Sequence, residues 1–111
     1  AGSITKAVQT LRRNLPYPLA IEVETSNLEE VEEAIAAQVE IIMLDNMDTE
    51  IMATAVKLIR QANPLVRIEA SGNVTLANLT AIASTGVDFI SSSAPITRSS
   101  WLDLSMQIVR N

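Results

Sequence analysis

The stretch Ile41-Ile42-Met43-Leu44, closed by Asp45-Asn46, does most to limit what this chain can become. Four consecutive apolar residues are too few for a helix and lack the alternation of a strand with one wet face. They read as a strand buried on both sides. Such strands belong to parallel sheets covered by helices, and those sheets keep their chemistry where the strands end. A carboxylate and an amide stand at that end here.

The rest of the chain repeats the theme. Ile4, Ala7, Val8 and Leu11 recur at helical spacing behind Ser3, a candidate N-cap, and Asn14 with Pro16 stops this first helix. Leu19 to Glu24 reads as a strand with Glu22 and Glu24 on one face. Ser26-Asn27-Leu28-Glu29 has the spacing of a capping box, ahead of a helix that buries Leu28, Val31 and Ile35 and turns Glu29, Glu30, Glu32 and Glu33 to water. After the central strand, Asp48 or Thr49 caps a helix carrying Ile51, Met52, Ala55, Val56 and Ile59 inward, and Asn63-Pro64 stops it. Leu65 to Ala70 reads as a third strand and Ser71-Gly72-Asn73 as a turn that opens the next helix. Leu76, Leu79 and Ile82 mark that helix's buried stripe, with Gly86 as its left-handed cap. Val87 to Ile90 is a fourth strand, and a serine-rich loop over 91–100 leads to a last helix with Trp101, Leu102, Leu104, Met106 and Val109.

Strand starts recur roughly every 20 to 26 residues, the length of one βα unit. The fold class is therefore α/β, four βα units preceded by a helix around a parallel sheet. Four units make half of an open (β/α) TIM-like barrel or a small doubly wound sheet, and the pattern alone does not separate these.

Composition narrows the function classes. A chain of 111 residues makes one domain. Ten of its thirteen acids lie between Glu22 and Glu50, where no Lys or Arg occurs, and the net charge is −5. No basic stripe exists to track a phosphate backbone, which argues against a nucleic-acid partner. Histidine and cysteine are both absent. That removes His or Cys nucleophile and base arrangements, Cys/His zinc sites and disulfides from this chain. A metal would have to be a hard cation such as Mg2+, held by carboxylates and a ligand's phosphates. The missing disulfides fit a cytoplasmic location, and no apolar run reaches the length of a membrane span.

The strand ends offer Glu24, then Asp45 and Asn46, then Ser71, Gly72 and Asn73, then Ser91 to Ser93. Each has an ordinary reading alone: a solvated strand end, an Asx turn, a tight turn, a loop. Together they line the edge where parallel sheets bind ligands. Glu24 and Asp45, on adjacent strands, should lie within about 5 to 10 Å of each other. Two carboxylates so placed suit a magnesium ion, ribose hydroxyls or an incipient cation. N–H groups at a helix start favour phosphate, so Ser71-Gly72-Asn73 completes the outline of a sugar-phosphate site.

The runs Ile21-Glu22-Val23-Glu24, Ile41-Ile42-Met43-Leu44-Asp45-Asn46-Met47, Ile68-Glu69-Ala70-Ser71-Gly72 and Thr85-Gly86-Val87-Asp88-Phe89-Ile90, followed by Leu102-Asp103-Leu104-Ser105, resemble the C-terminal part of quinolinate phosphoribosyltransferase, also called nicotinate-nucleotide pyrophosphorylase. The resemblance covers essentially the whole chain. It implies a magnesium-dependent enzyme of de novo NAD synthesis that joins quinolinate to phosphoribosyl pyrophosphate and releases pyrophosphate and carbon dioxide. It also implies an N-terminal sandwich domain, an open α/β barrel, and a homodimer in which the partner completes each site. By match of motif, Glu24 and Asp45 meet the ribose and metal, and Ser71 and Gly72 hold phosphate.

Departures from the family pattern fall in the phosphate loops. Asn73 stands where the family has a second glycine, and Ser92-Ser93-Ala94 where it has Val-Gly-Ala. Pro95-Ile96-Thr97-Arg98 replaces Leu-Thr-His-Ser, so Ser93, Thr97 and Arg98 read as this chain's version of the loop, with Arg98 a phosphate clamp or a surface charge. The sandwich domain, the first barrel strands and a Lys-Asp-Asn-His segment are not among the 111 residues. The expectation is thus that residues 1–111 are the C-terminal half of the barrel domain, inactive alone. The alternative is a stand-alone phosphate-binding or structural α/β module without catalysis. Either way, exposed sheet edges should drive self-association.

Overall fold

A computed structural model describes residues 2–16 and 19–92. The expected phosphate-loop residues Ser93, Thr97 and Arg98 and the expected last helix lie outside them. The order is α1 (Ser3–Asn14), β1 (Glu22–Thr25), α2 (Leu28–Ala36), β2 (Ile41–Asp45), α3 (Thr49–Ala62), β3 (Arg67–Gly72), α4 (Leu76–Ser84) and β4 (Phe89–Ser92). The strands form one parallel sheet in the order β1-β2-β3-β4. Sequential strands as neighbours, each joined by a helix, make an open sheet with the layout of half a (β/α) barrel rather than a doubly wound sheet, whose strand order reverses.

Burial explains the layering. Ile42 and Leu44 of β2 and Ile68 and Ala70 of β3 meet Val31 and Ala34 of α2, Met52, Ala55, Val56 and Ile59 of α3, and Ile82 of α4 in one aliphatic core. The core thus lies between the helices and one sheet face. In a parallel ladder, residues in register project from the same face. The opposite face therefore carries Glu22 and Glu24 of β1, Ile41, Met43 and Asp45 of β2, Arg67, Glu69 and Ser71 of β3, and Phe89 and Ser91 of β4. Among the described residues this face takes no part in the core cluster.

Several local expectations need correction. Ser3 does not cap α1; it is the first helical residue, and the chain enters on Gly2 at φ 92°, with no side-chain cap. The cap of α2 falls one residue later than expected. Asn27 accepts from the Glu30 N–H, while Glu30 reaches back to the N–H and hydroxyl of Ser26. Asp48, not Thr49, caps α3. β1, β3 and β4 all begin later than their apolar runs, so Leu19 is exposed and Leu65 is 87% exposed. The apolar stripes are also narrower: Ile51, Leu79 and Leu76 are exposed, the last at 92%, because α3 and α4 turn only Met52, Ala55, Val56, Ile59 and Ile82 into the core.

A clamp ties the far end of the sheet together. Asp88 accepts from the Ile68 N–H and from the Arg60 guanidinium of α3, both at 2.8 Å, and Arg60 also donates to the Val66 carbonyl. Burial alone would raise the Asp88 pKa, but hydrogen bonds from Arg60 and Ile68 and the charges of Arg60 and Arg67 outweigh it and hold the carboxyl below its usual range.

Candidate active site at the strand ends

The C-terminal edge is set by a crossing between β2 and β3. Asp45 is in register with Ser71, and the next residue, Asn46, donates its N–H to the Ser71 carbonyl at 2.7 Å. Asn46 turns in the left-handed region, φ 56°, a conformation that Asn tolerates better than most side chains. Gly72 lies beneath it at φ 140°, and a Cβ there would stand 3.1 Å from the Asn46 Cα and Oδ1. Only glycine suits both the backbone angle and the approach. The expected turn at Ser71-Gly72 is thus the last pair of β3, and Asn73 follows it. These three residues do not open α4 directly: Thr75 caps that helix in a reciprocal capping box with Asn78.

The structure brings some of the expected site residues together and leaves others apart. Asp45 and Ser71 are neighbours on the face turned away from the core cluster, both half-buried, and Ser91 extends their register on β4. Glu24 projects from the same face but pairs with Met43, two residues short of Asp45, and is exposed. Ser71, Gly72 and Asn73 line a cleft of roughly 280 Å³ with Asn46, Asp48 and Asn78, between the β2–α3 and β3–α4 connections. Glu24 and Asp45 do not line it.

One constellation on this face was not singled out from the sequence. Glu22 and Glu69 reach toward each other across β2, above Ile41 and Met43 with which they pair. Ser91 donates its hydroxyl to Glu69 Oε2 at 2.6 Å. Glu69 is 3% exposed, and Glu22 Oε2 and Glu69 Oε1 are both buried with no hydrogen-bond partner outside the pair. Burial, the hydrogen bond with Glu69, and the charges of Glu69 and Glu24 together push Glu22 up to about 8. A proton held between the two carboxyls at neutral pH is the physical resolution, since two like charges so close cannot both ionise cheaply. The sequence did carry a signal: Glu69 interrupts an otherwise apolar strand interior, between Ile68 and Ala70.

An open parallel sheet with helices on one face and carboxylates, hydroxyls and a glycine crossing at its strand C-termini belongs to the class of (β/α)-barrel-type proteins. Comparison with known proteins makes this specific. The sequence model of the family described as quinolinate phosphoribosyl transferase, C-terminal domain, matches residues 1–107. A Synechocystis protein named "Probable nicotinate-nucleotide pyrophosphorylase [carboxylating]" is 93% identical over all 111 residues, and the rat nicotinate-nucleotide pyrophosphorylase (carboxylating) is 37% identical over 97% of the chain. The chain spans 38% and 36% of those two proteins. Among solved structures, the Ehrlichia chaffeensis nicotinate-nucleotide pyrophosphorylase superposes with a TM-score of 0.73 at 41% identity, over 82% of this chain and 31% of that one. The chain belongs to the quinolinate phosphoribosyltransferase family and corresponds to its C-terminal domain.

Proposed function

We propose that the C-terminal edge of this sheet is one wall of the site that joins quinolinate to phosphoribosyl pyrophosphate, releasing pyrophosphate and carbon dioxide on the route to NAD. The observation that carries the reading is the Asp45–Ser71 register pair, locked by Asn46 over Gly72, in a chain of this family. In this reading Ser71, Gly72 and Asn73 hold phosphate, and Ser93 and Arg98 add to the phosphate contacts. Glu24 and Asp45 face the ribose. As pyrophosphate leaves, positive charge develops on the sugar, and fixed carboxylates beside it stabilise that charge more than the neutral ground state.

Two carboxylates at adjacent strand ends suit Mg2+, which usually binds one or two carboxylates and takes its other oxygens from ligand phosphates and water. Among the described residues no group of three acids is set to hold a metal alone, so Glu24 and Asp45 would hold it together with the sugar phosphate. A magnesium ion held there would supply positive charge to the departing pyrophosphate. The strand-end segments 24–27, 45–48, 71–75 and 91–92 contain no Lys or Arg. The two carboxylates of quinolinate must find their cations elsewhere, and the working enzyme on this reading is a cytoplasmic homo-oligomer.

Calorimetry with phosphoribosyl pyrophosphate and MgCl2, paired with an assay for nicotinate mononucleotide, tests this. Binding to the 111-residue chain that weakens at least about tenfold in Asp45→Asn, without turnover, is expected. Equal binding by the two proteins would sink the role of Asp45, and turnover by the chain alone would overturn the claim that its cations lie elsewhere.

A further inference from the structure

Most polar groups around the cleft between the β2–α3 and β3–α4 connections are paired within the chain. Asp48 accepts from the Ile51 N–H and Thr75 from the Asn78 N–H, while the Asn78 side chain accepts from the Thr75 N–H and donates to the Asn73 carbonyl. Asn46 differs. It lines the cleft, is exposed, and its carboxamide has no hydrogen-bond partner among the described residues. Its Oδ1 lies over Gly72, 3.1 Å from where a Cβ would stand, so the nitrogen on the other branch of the amide is turned away from Gly72. The left-handed turn at φ 56° accounts for a residue that tolerates this conformation, but glycine would make the same turn without a side-chain donor.

We propose that Asn46 is a substrate-contacting residue whose carboxamide donates to the phosphate of a sugar phosphate monoester in this cleft. The proposal rests on the reading of Ser71, Gly72 and Asn73 as the phosphate-holding segment and adds to it a residue from the neighbouring connection. The Asn46 N–H bonds the Ser71 carbonyl at 2.7 Å and its side chain packs on Gly72, so the free amide stands beside that segment and not across the site from it. No Lys or Arg lines the cleft. A phosphate there is held by neutral donors, each of which gains from pointing at a charged acceptor. With Asp48 on the wall and Asp45 adjoining Asn46 in the chain, the cleft favours the charge of a single phosphate over the larger charge of pyrophosphate.

The test uses the 15N-labelled chain, followed by NMR at constant pH. Ribose 5-phosphate should shift the Asn46 side-chain NH2 signals and the Gly72 and Asn73 backbone amide signals saturably, with a dissociation constant on the order of 1 mM for a ligand of this size. Ribose should leave them in place, and pyrophosphate should bind more weakly than ribose 5-phosphate. The side-chain signals of Asn63, at the far end of α3, should not move. Asn46→Gly keeps the turn and the N–H to Ser71, and should weaken binding at least about tenfold. Asn46→Asp tolerates the turn but presents a carboxylate; it should weaken binding further, and it carries the test should Asn46→Gly fail to fold. Shifts at Gly72 and Asn73 with Asn46 unmoved, or binding by Asn46→Gly as tight as by the parent chain, would overturn the role of Asn46 and leave the phosphate reading standing. Tighter binding of pyrophosphate would overturn the assignment to a monoester. No saturable shift at any of the three residues would overturn the proposal and the phosphate reading together.

Discussion

At Gly72 two demands meet on one residue, a φ of 140° and Asn46 packed 3.1 Å from where a Cβ would stand. Gly72→Ala should therefore cost about 1–3 kcal/mol, read as a lower urea midpoint with an unchanged slope. The crossing joins Asp45 to Ser71, so the same variant should also weaken phosphoribosyl pyrophosphate binding. Glu22 makes a different residue-level prediction. Its folded pKa of about 8 lies above the ordinary carboxylate value of 4.5, so the folded state binds the extra proton between them. Stability from this group is fully present below the ordinary range and is lost as pH rises toward about 8. Glu22→Gln, which keeps an N–H donor for Glu69 at every pH, should flatten the dependence of the thermal midpoint on pH across that window. Asp88 acts in the opposite sense, its stabilisation fading only as pH falls through the acid range.

The helices owe their ends to local chemistry and their positions to the core. Asn27, Asp48 and Thr75 each accept from the backbone N–H three residues on, and each stands where the chain leaves an extended conformation. Thr75→Ala removes the hydroxyl that accepts from the Asn78 N–H, leaving only the bond from the Thr75 N–H to the Asn78 side chain, and should lower stability by about 0.5–2 kcal/mol, measured by chemical denaturation. α4 is the place to look because it buries little: Ile82 is its one buried residue, and Leu76 and Leu79 face outward. The caps of α2 and α3 were legible in the sequence to within a residue, whereas Thr75 was not, because Ser71-Gly72-Asn73 offered a competing helix start. Strand starts were not. Leu65 and Leu19 have every local property of strand residues, but the parallel ladder begins only where a neighbouring strand offers partners, at Arg67 and Glu22.

For the whole molecule, one sheet face packs against helices and the other bears carboxyls, hydroxyls and a few apolar side chains. Among the described residues β1 and β4 are the edges of the sheet, each with a row of backbone groups facing away from its neighbour. Edges of this kind pair when concentration allows. Light scattering across a concentration series should show the chain self-associating, and a monodisperse monomer at high concentration would count against this.

The sequence by itself determined the order of elements from α1 to β4, the parallel α/β class and the polar residues at the ends of β1 to β4. Those follow from periodicity and from residues such as Gly72 and Asp48 whose local chemistry admits few conformations. Only the tertiary structure decided which strand ends become neighbours. Register set Asp45 beside Ser71 and left Glu24 a step away beside Met43, because pairing is fixed by the ladder between strands and not by the run of one strand. It also decided the Glu22–Glu69–Ser91 group, whose members come from three strands and reach one another only across β2. A carboxyl's protonation depends on what is folded over it, and no spacing along the chain encodes that.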